Sequence, residues 1–242
     1  MSWVSKLTTL AMTFFATGPP EGKRGLAWPW YNENSNLDPA KLANDQVQWI
    51  YNWETWRPAK TTGLNWIGTQ RCMDCESSPI SQLKTRADQQ GWNTVLTLNE
   101  PDINYISPET AANWYIQHIN PLQIKKAIPS CYFDYVNLHW YGHNFDEFKS
   151  HVENAHSRFP DHQLIISEFA LLVPASRDQQ VEFLRSAMSF LDNADYVKYY
   201  AVFAASSPAK ITSNAGGDDV GVGSSLYENG GSLSANGIAY RE

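Results

Sequence analysis

Short runs of apolar residues alternate with amphipathic segments along most of the chain. Seven of these runs have the length and composition of buried strands, and polar or turn-forming residues bound each of them. They span residues 24–28, 47–51, 64–68, 94–99, 133–139, 164–167 and 199–204. Strands that alternate with helices are typical of a parallel sheet, because each crossover connection returns the chain to the same end of the sheet. The pattern therefore predicts an α/β fold.

The segments between the runs carry the signals that start and orient helices. Asp38, Ser78 and Ser107 each precede a proline, which places a capping side chain just before the first helical turn. A helix is also expected over residues 145–159, where apolar residues recur every three or four positions. Another is expected from residue 176, where a serine and a glutamine have the spacing of a capping box.

The number of strands and the length of the chain fit a TIM-type (β/α)8 barrel better than an open sheet. Only seven strands are recognisable, and the shortfall has a definite place in the chain. The helix that begins at Pro108 is expected to run to about residue 126, and the next strand begins at Phe133. The six residues between them cannot hold a strand and a helix. The predicted fold is therefore a (β/α)8-type barrel that lacks about one β/α unit near residues 126–131.

No linker or internal repeat divides the chain, so residues 21–242 are expected to form one barrel domain, with a long Gly- and Ser-rich loop over residues 206–223. Residues 1–20 differ from the rest, because Lys6 precedes an apolar stretch that small residues and prolines follow. This pattern predicts a secretion signal, with a disordered or packed arm as the alternative. No apolar run reaches the ~18 residues that a membrane span requires, so no membrane contact is expected.

Charge and aromatic content narrow the classes of function. The chain has 25 acidic and 18 basic residues, a formal net charge of −7, so binding to nucleic acid is not expected. Ten Trp, twelve Tyr and ten Phe are more than a core of this size needs, and flat aromatic faces suit the apolar faces of sugar rings. Of the three cysteines, Cys72 and Cys75 form a lone CxxC, for which a local disulfide or free thiols are expected rather than a metal or redox site.

Two glutamates stand directly after apolar runs, at the strand ends where barrels place their active sites. Glu100 follows the run at 94–99, and Glu168 follows the run at 164–167. Cleavage of a glycosidic bond needs two carboxylates across one cleft, one protonated to donate to the leaving oxygen and one ionised to attack or to activate water. Burial can raise one pKa while hydrogen bonds lower the other. The alternative for each glutamate is a structural ion pair.

Aromatic residues also gather at the strand ends. They are Trp28 and Trp30 after the first run, Trp53 and Trp56 after the second, Trp66 on the third, and His139, Trp140 and Tyr141 at the end of the fifth. Each could belong to the core, but their repetition at one end of a barrel favours a sugar-binding cleft. His139 and His143 are spaced as a pair of metal ligands, but no carboxylate stands at a matching spacing. A hydrogen-bonding role is therefore expected for His139, and no metal is expected.

Six short motifs occur in a fixed order from residue 23 to near the end of the chain. They are residues 23–32 (KRGLAWPWYN), 51–53 (YNW), 99–102 (NEPD), 138–142 (LHWYG), 167–170 (SEFA) and 222–227 (VGSSLY). In this order they resemble glycoside hydrolase family 128, a family of barrel enzymes that are mostly endo-β-1,3-glucanases. The Asn-Glu-Pro sequence alone is shared across the larger clan A of retaining hydrolases, so the resemblance depends on the whole series.

The resemblance implies a retaining endo-β-1,3-glucanase that cleaves laminarin-like glucan of fungal cell walls by double displacement. It implies Glu100 as acid/base and Glu168 as nucleophile, about 5–5.5 Å apart, with Asn99 bonded to the sugar 2-hydroxyl. Contacts to the glucan are implied for Trp28, Trp30, Asn32, Trp53, Asn99, His139, Trp140, Tyr141 and Phe203. No cofactor is expected, because the chemistry of two carboxyl groups suffices. A monomer whose partner is a polysaccharide or oligosaccharide is also expected, and so is a location outside the cell or in the cell wall.

The chain departs from the family pattern in two places. Fungal members have a strand and a helix between the fourth helix and the approach to His139, whereas residues 125–131 run straight through here. The loss would expose a sheet edge and shift the spacing of the carboxylates. Val202 stands where a tryptophan is expected, which removes one stacking surface. Two alternatives therefore stay open: a catalytically impaired β-glucan-binding protein on the same barrel, and a barrel hydrolase that acts on a different β-glucan.

Overall fold

The computed structural model describes residues 22–61, 63–92, 94–122, 133–214 and 220–242. The strands in these ranges are β1 Arg24–Ala27, β2 Val47–Tyr51, β3 Asn65–Trp66, β4 Gly68–Gln70, β5 Val95–Thr97, β6 Tyr135–Gly142, β7 Gln163–Leu171 and β8 Val197–Tyr200. The α-helices are α1 Leu83–Gln90, α2 Pro108–His118, α3 Phe145–Arg158, α4 Arg177–Asn193, α5 Pro208–Thr212 and α6 Ala235–Arg241. Short 3-10 helices lie at Trp30–Asn32, Pro39–Lys41, Ile80–Gln82 and Asn120–Leu122.

The strands form a curved parallel sheet in two pieces. One piece has the order β3-β2-β1-β8-β7-β6, and the other pairs β4 with β5. The short strands β3 and β4 are two halves of one barrel strand, because β3 pairs with β2 and β4 pairs with β5 while only Ile67 separates them. Seven barrel strands are therefore present in the described part of the chain, as the sequence predicted.

The barrel wall is open between β5 and β6. Within the described ranges β5 pairs only with β4 and β6 only with β7, and no strand lies between them. The sequence predicted the absent β/α unit near residues 126–131, which lie between α2 and β6 in the chain. Residues 123–132 lie outside the described part. The fold is thus a TIM-type barrel that is incomplete along one wall.

The predicted helix starts are confirmed at two positions and wrong at a third. Ser107 accepts a backbone N–H at the start of α2, and Ser176 forms a complete capping box with Gln179 at the start of α4. The hydroxyl of Ser78 instead donates to Glu54 (2.7 Å), and the chain reaches α1 through a 3-10 turn. The hydrogen bond to Glu54 thus replaces the cap that the sequence around Ser78 predicts.

Other elements differ from the prediction in extent. Asp38 caps only the 3-10 turn Pro39–Lys41, and α2 ends at His118, short of residue 126. The expected loop over residues 206–223 contains α5, and α6, which no pattern predicted, packs against α4. Residues 1–20 lie outside the described part, so the secretion signal stays a prediction. None of the described helices is long and apolar enough to cross a membrane.

A buried arginine ties the first strand to the end of the chain. The Arg24 guanidinium forms an ion pair with Asp192 at the end of α4 (2.8 Å). It also donates to the hydroxyl of Tyr200 on β8 and to the backbone oxygen of Tyr240 on α6, both at 2.9 Å. Tyr200 also donates to Asp192 (2.6 Å), so one hydrogen-bonded cluster joins β1, β8, α4 and α6.

We expect Arg24→Leu to lower the free energy of unfolding by about 3–5 kcal/mol, because the change leaves a partly buried carboxylate without its cation. Denaturant titration followed by circular dichroism measures the loss. Arg185→Leu is the matched control, since the Arg185 guanidinium pairs with Glu242 where both side chains are more than half exposed and exposed pairs contribute little. Equal unfolding midpoints for the two variants would contradict the structural role of Arg24.

Candidate active site

The Glu168 carboxylate is buried at the centre of a set of hydrogen-bond donors. The residue lies on β7, every position of which from Leu164 to Leu171 is buried, and it is itself 5% exposed. Trp53 Nε1 donates to Oε1 (2.7 Å) and the Tyr141 hydroxyl donates to Oε2 (2.6 Å). His139 Nε2 lies 3.2 Å from Oε1. The carboxylate is therefore held in one orientation by groups from β6 and from the turn after β2.

Pairing between β6 and β7 places two of these partners. The strands pair along their length with one register shift between Leu138 and His139, after which His139 lies opposite Glu168. Residues two apart on a strand point to the same side of a sheet, so Tyr141 follows His139 into the barrel. The HWY sequence at the end of β6 thus delivers a histidine and a tyrosine to the same carboxylate.

Trp53 reaches Glu168 through a left-handed turn directly after β2. Its φ is 64°, a conformation that costs a non-glycine residue energy and that recurs at functional sites. Asn52 stabilises the turn, since its side-chain oxygen accepts the backbone N–H of Glu54 (3.0 Å) and its amide donates to the backbone oxygen of Trp56 (3.0 Å). The Tyr51 ring packs against the indole with centroids 4.7 Å apart.

Burial raises the pKa of Glu168, and its three partners oppose that rise. The charge of His139 and the hydrogen bonds from Tyr141 and Trp53 favour the ionised carboxylate, whereas the negative charge of Glu100 disfavours it. Burial and the charge of Glu168 raise the pKa of Tyr141 well above its usual range. The Tyr141 hydroxyl therefore keeps its proton and remains a donor to Glu168.

Glu100 stands just beyond β5 in a tightly turned loop. Both Glu100 and Leu98 have positive φ, 44° and 49°. Asn104 closes the loop by donating from its amide to the backbone oxygens of Asn99 and Glu100, each at 3.0 Å. The Glu100 side chain is 30% exposed, compared with 6% for the side chain of Glu168. One carboxylate therefore faces the solvent side of the cleft and the other its floor.

The His139 ring lies between the two carboxylates. Nδ1 is 3.1 Å from Glu100 Oε1, and Nε2 is 3.2 Å from Glu168 Oε1 and 3.0 Å from the Ser167 hydroxyl. Burial alone would lower the pKa of His139, but the hydrogen bond to Glu100 and the charges of both glutamates outweigh burial, so the pKa is raised. The ring thus sets the distance between the carboxylates.

One side-chain atom from each of Glu100, His139 and Glu168 lies within 4.8 Å of the others. Among the described residues this is also the group whose spacing would admit a metal ion. A cation there would occupy the groups that glycoside cleavage needs free. The arrangement itself, a buried carboxylate held by donors and a second one facing solvent, is what cleavage of a glycosidic bond requires.

Several of the predicted sugar contacts meet around these carboxylates. The Phe203 ring lies beside the rings of Trp53 and Tyr141, with centroid distances of 6.2 and 5.8 Å. Asn99 is adjacent to Glu100, with its amide 3.5 Å from the Glu100 carboxylate. Trp30, farther out, is 58% exposed. The structure therefore brings Trp53, Asn99, His139, Tyr141 and Phe203 together, and it leaves Trp30 on an open surface.

The prediction of a sugar contact is wrong for Trp140. Residues alternate between the two faces of a strand, so Trp140 points outward while its neighbours point into the barrel. Its ring stacks on Phe183 (5.5 Å) and packs edge-on against Phe148 (5.2 Å), and only 8% of the residue is exposed. Trp140 therefore holds α3 and α4 against the barrel.

Trp28 and Asn32 are also buried and bonded or packed against other parts of the chain, so the prediction that they contact sugar is corrected as well. Trp28 is 2% exposed and packs edge-on against Tyr227. Asn32 is buried, and its amide donates to the Ala205 backbone oxygen (2.9 Å) and accepts from the Ser206 hydroxyl (2.7 Å). Both residues connect the segment after β1 to later parts of the chain.

Two residues that the sequence did not single out, Tyr51 and Ser167, form hydrogen bonds next to the carboxylates. Tyr51 donates from its hydroxyl to the backbone oxygen of Ser167 (2.8 Å), and the Ser167 hydroxyl meets His139. Both residues belong to motifs that the sequence displays, YNW and SEFA, but a motif does not show which atoms will meet.

The side chain of Val202 is buried (3% exposed). The aromatic ring beside Trp53 and Tyr141 is that of Phe203, which lies three residues after β8 ends and one residue beyond the position where a tryptophan was expected.

Cys72 and Cys75 form a disulfide in the segment after β4. This outcome confirms one of the two states expected for the lone CxxC. The loop that it closes contacts the next helix, because the backbone oxygen of Met73 accepts the indole N–H of Trp114 on α2 (2.9 Å). The disulfide therefore stabilises the segment next to the loop that carries Glu100.

Comparison with known proteins places this geometry in a family. A family model described as the glycosyl hydrolase catalytic core matches residues 25–128 and 124–240, and the two matches meet where the sequence lacks a β/α unit. Alkali-sensitive linkage protein 1 of Schizosaccharomyces pombe is 27% identical over 253 residues. That alignment covers 90% of this chain but only 44% of the relative, so the chain spans less than half of that protein.

Solved structures agree with the family model. A GH128 (subgroup IV) endo-β-1,3-glucanase from Lentinula edodes is 46% identical, with a TM-score of 0.83, over 91% of this chain and 99% of that one. A GH128 (subgroup III) curdlan-specific exo-β-1,3-glucanase from Blastomyces gilchristii, in complex with glucose, is 25% identical with a TM-score of 0.70, over 93% and 99% of the two chains. The chain is therefore a glycoside hydrolase and belongs to family 128.

Proposed function

We propose that this chain hydrolyses β-1,3-glucan with retention of configuration and cleaves within the polysaccharide. The observation that carries the proposal is the pair Glu100 and Glu168, which face each other across His139 with an oxygen of each within 4.8 Å. Retaining glycosidases hold their carboxyl groups about 5–5.5 Å apart, whereas inverting enzymes leave about 6.5–9.5 Å for a water molecule. The linkage and the internal cleavage are proposed from the activity of the Lentinula edodes relative.

In the first step Glu168 attacks the anomeric carbon, and the bond from that carbon to the leaving oxygen breaks. Glu100 gives its proton to the leaving oxygen, which departs as a hydroxyl group of the shortened glucan. The three partners of Glu168 suit this role, because they favour an ionised nucleophile in a buried place. The more exposed Glu100 suits proton exchange with the leaving group and, later, with water.

In the second step Glu100, now ionised, takes a proton from water while the water oxygen bonds to the anomeric carbon and the bond from that carbon to Glu168 breaks. Glu168 leaves as a carboxylate, and the sugar keeps its original configuration. Asn99 is placed beside Glu100 to bond the sugar 2-hydroxyl, an interaction that strengthens in the transition state. The rings of Trp53 and Tyr141 offer apolar surface to the sugar at the reacting position, with the buried ring of Phe203 packed against both. Trp30 offers a surface farther out.

Two alternatives have less support. A glucan-binding protein without catalytic power was suggested by the absent β/α unit, but Glu168 keeps all three of its partners and Glu100 lies within hydrogen-bonding distance of His139. A product assay distinguishes a hydrolase of another β-glucan from the proposed β-1,3-glucanase. Faster release of reducing sugar from a β-1,4-linked glucan than from laminarin would favour that alternative.

We further propose a secreted or cell-wall location. The disulfide between Cys72 and Cys75 supports an oxidising compartment, because disulfides seldom persist in the cytosol. The apolar stretch after Lys6 supports the same proposal at the level of sequence. A monomer that binds only a polysaccharide or oligosaccharide stays a prediction.

We expect Glu168→Gln to lower kcat on laminarin by ~1000-fold or more, because the nucleophile is lost. Reducing-sugar release measures the rate, and a thermal transition like that of the wild type shows that folding is intact. Glu153→Gln is the control, since Glu153 lies exposed on α3 beside Lys149. Activity of Glu168→Gln close to that of the wild type would exclude Glu168 as the nucleophile.

We expect Glu100→Gln to reduce hydrolysis of natural glucan by ~100- to 10,000-fold, the usual contribution of a general acid. A dinitrophenyl β-glucoside should suffer much less in its first step, because its leaving group needs little protonation. Burst and steady-state rates on both substrates provide the comparison. Glu109→Gln, in the exposed first turn of α2, is the control, and equal losses on both substrates would mean that Glu100 acts only structurally.

We expect Tyr141→Phe to move the acidic limb of the kcat/KM profile to higher pH. The Tyr141 hydroxyl lowers the pKa of Glu168, so its removal raises that pKa further. A nucleophile must be ionised, so activity is then lost at a higher pH as the solution is acidified. The rate at the optimum should fall roughly 10- to 100-fold, the value of a hydrogen bond to a charged group.

The matched control for this change is Tyr196→Phe. Tyr196 lies before β8 and stacks on His156 of α3, away from the carboxylates. Its profile should coincide with that of the wild type. An unchanged acidic limb in Tyr141→Phe would show that the Tyr141 hydroxyl does not favour the ionised form of the nucleophile.

A further inference from the structure

A cavity of about 1110 Å³ occupies the opening between β5 and β6. At one end it reaches the catalytic groups, where Asn99, Glu100, His139 and Tyr141 line it. From there it extends along β5 toward the beginning of that strand, past Leu98, as far as Thr94 and Trp92. This volume is slightly above the ~300–1,000 Å³ typical of small-molecule sites, so a ligand larger than one sugar ring can enter it.

The two walls of this cavity are mainly apolar. On the side of β5 they include Trp92, Leu96 and Leu98, and on the side of β6 they include Phe133, Val136 and Phe159. An apolar space of this kind holds water poorly and gains from an apolar ligand. The apolar side chains along β5 and β6 therefore suit an alkyl or aryl group in this part of the cavity.

The position of Glu100 determines which part of a substrate would enter the cavity. Glu100 lines it, whereas Glu168 is not among its lining residues. A general acid stands on the side of the leaving oxygen, so the group attached to that oxygen lies toward β5. The strand residues from Val95 to Leu98 then extend about 10 Å along the cavity, at ~3.3 Å per residue, which is enough for a medium-length alkyl chain.

Charges at the rim indicate a neutral ligand. The Lys84 ammonium, at the rim, already pairs with Asp88 (2.7 Å), and Asp102 also lines the cavity. A fatty-acid anion would place its carboxylate near these acidic groups and near Glu100, where like charges repel. A glucoside carries no charge, and its sugar hydroxyl groups are suited to the same carboxylates as hydrogen-bond donors.

We propose that this cavity binds the apolar aglycone of β-glucosides, with the glucose ring between Glu100 and Glu168 and the alkyl or aryl group between β5 and β6. The proposal rests on the proposed function only for the position of the sugar. The apolar part of the site arises from the open barrel wall of this chain and does not depend on turnover.

Binding of a homologous series tests the proposal. Methyl, butyl, hexyl and octyl β-glucopyranoside are titrated, below their micelle concentrations, into the full chain carrying Glu168→Gln, which prevents turnover, and heat release is followed by calorimetry. We expect Kd to fall about fourfold for each added methylene that the cavity buries, the value of ~0.8 kcal/mol per methylene. A Kd that does not change from methyl to octyl would overturn the proposal.

A cavity-filling variant locates the tail. Val136→Trp, added to the same chain, should remove most of the dependence on chain length and leave the Kd of methyl glucoside unchanged. Ile238→Trp is the matched control, because Ile238 is 54% exposed on α6 and is not among the residues that line the cavity. If Val136→Trp lacks a cooperative thermal transition, Ala87→Leu, on the α1 side of the cavity, replaces it. Equal losses in the control would overturn the proposed location.

Two further measurements distinguish the aglycone site from a fatty-acid site and from the proposed glucanase activity. Octanoate should bind at least tenfold more weakly than octyl glucoside, and equal affinity would identify a fatty-acid site instead and overturn the proposal. Laminarin hydrolysis by the wild-type chain is measured in parallel. If laminarin is hydrolysed but Kd does not depend on the alkyl chain length, only the proposed aglycone site is refuted. If Kd depends on chain length but laminarin is not hydrolysed, only the proposed glucanase activity is refuted.

Discussion

The position of His139 between the two glutamates is the constraint on which the site depends. It follows from the pairing of β6 with β7, whose single register shift places His139 opposite Glu168. The alternation of faces along β6 then adds Tyr141 to the inside of the barrel and sends Trp140 to the outside. One strand register thus provides two partners of the nucleophile and a helix-packing residue. A slip of one residue would exchange these roles and leave the buried carboxylate without His139 and Tyr141, so that Trp53 would be the remaining one of its three partners.

Burial and hydrogen bonding oppose each other at Glu168, and burial has the larger effect on its pKa. The donors are nevertheless necessary, because an ionised carboxylate in this position without them would cost several kcal/mol. The free-energy cost of burying a charge is smaller for Glu100, because its side chain is 30% exposed. The site therefore divides two tasks between two environments. A fixed, buried carboxylate attacks, and a partly exposed one exchanges protons.

Much of the fold could be predicted because strand length and strand spacing leave direct signals in the sequence. The strand at 47–51 agrees with β2, and counting strands located the absent unit between β5 and β6. The two glutamates could be found because barrels place their chemistry at strand ends. What failed was orientation: a motif gives the position of Trp140 but not the face on which its side chain lies. Alternation along β6 contained that information and would have excluded Trp140.

Other failures came from partners that are distant in sequence. Ser78 has the local pattern of a helix cap, yet its hydroxyl bonds Glu54, 24 residues earlier. Asn32 is buried by segments more than 170 residues away. Helix α6 has only seven residues and is held by its contacts with α4 and Arg24. No local pattern can reveal such contacts, since they exist only after the sheet has brought the segments together.

The open wall affects the two carboxylates unequally. β7 is paired on both sides, so the surroundings of Glu168 resemble those in a closed barrel. β5 has three residues, is paired on one side within the described chain, and leads into the turn in which Glu100 has positive φ. Its link to β6 at the catalytic level is the hydrogen bond between Glu100 and His139 (3.1 Å) rather than a backbone ladder. His139 therefore holds Glu100 in place where a neighbouring strand would otherwise do so. The position of the acid/base thus depends on a side chain that also contacts the nucleophile Glu168.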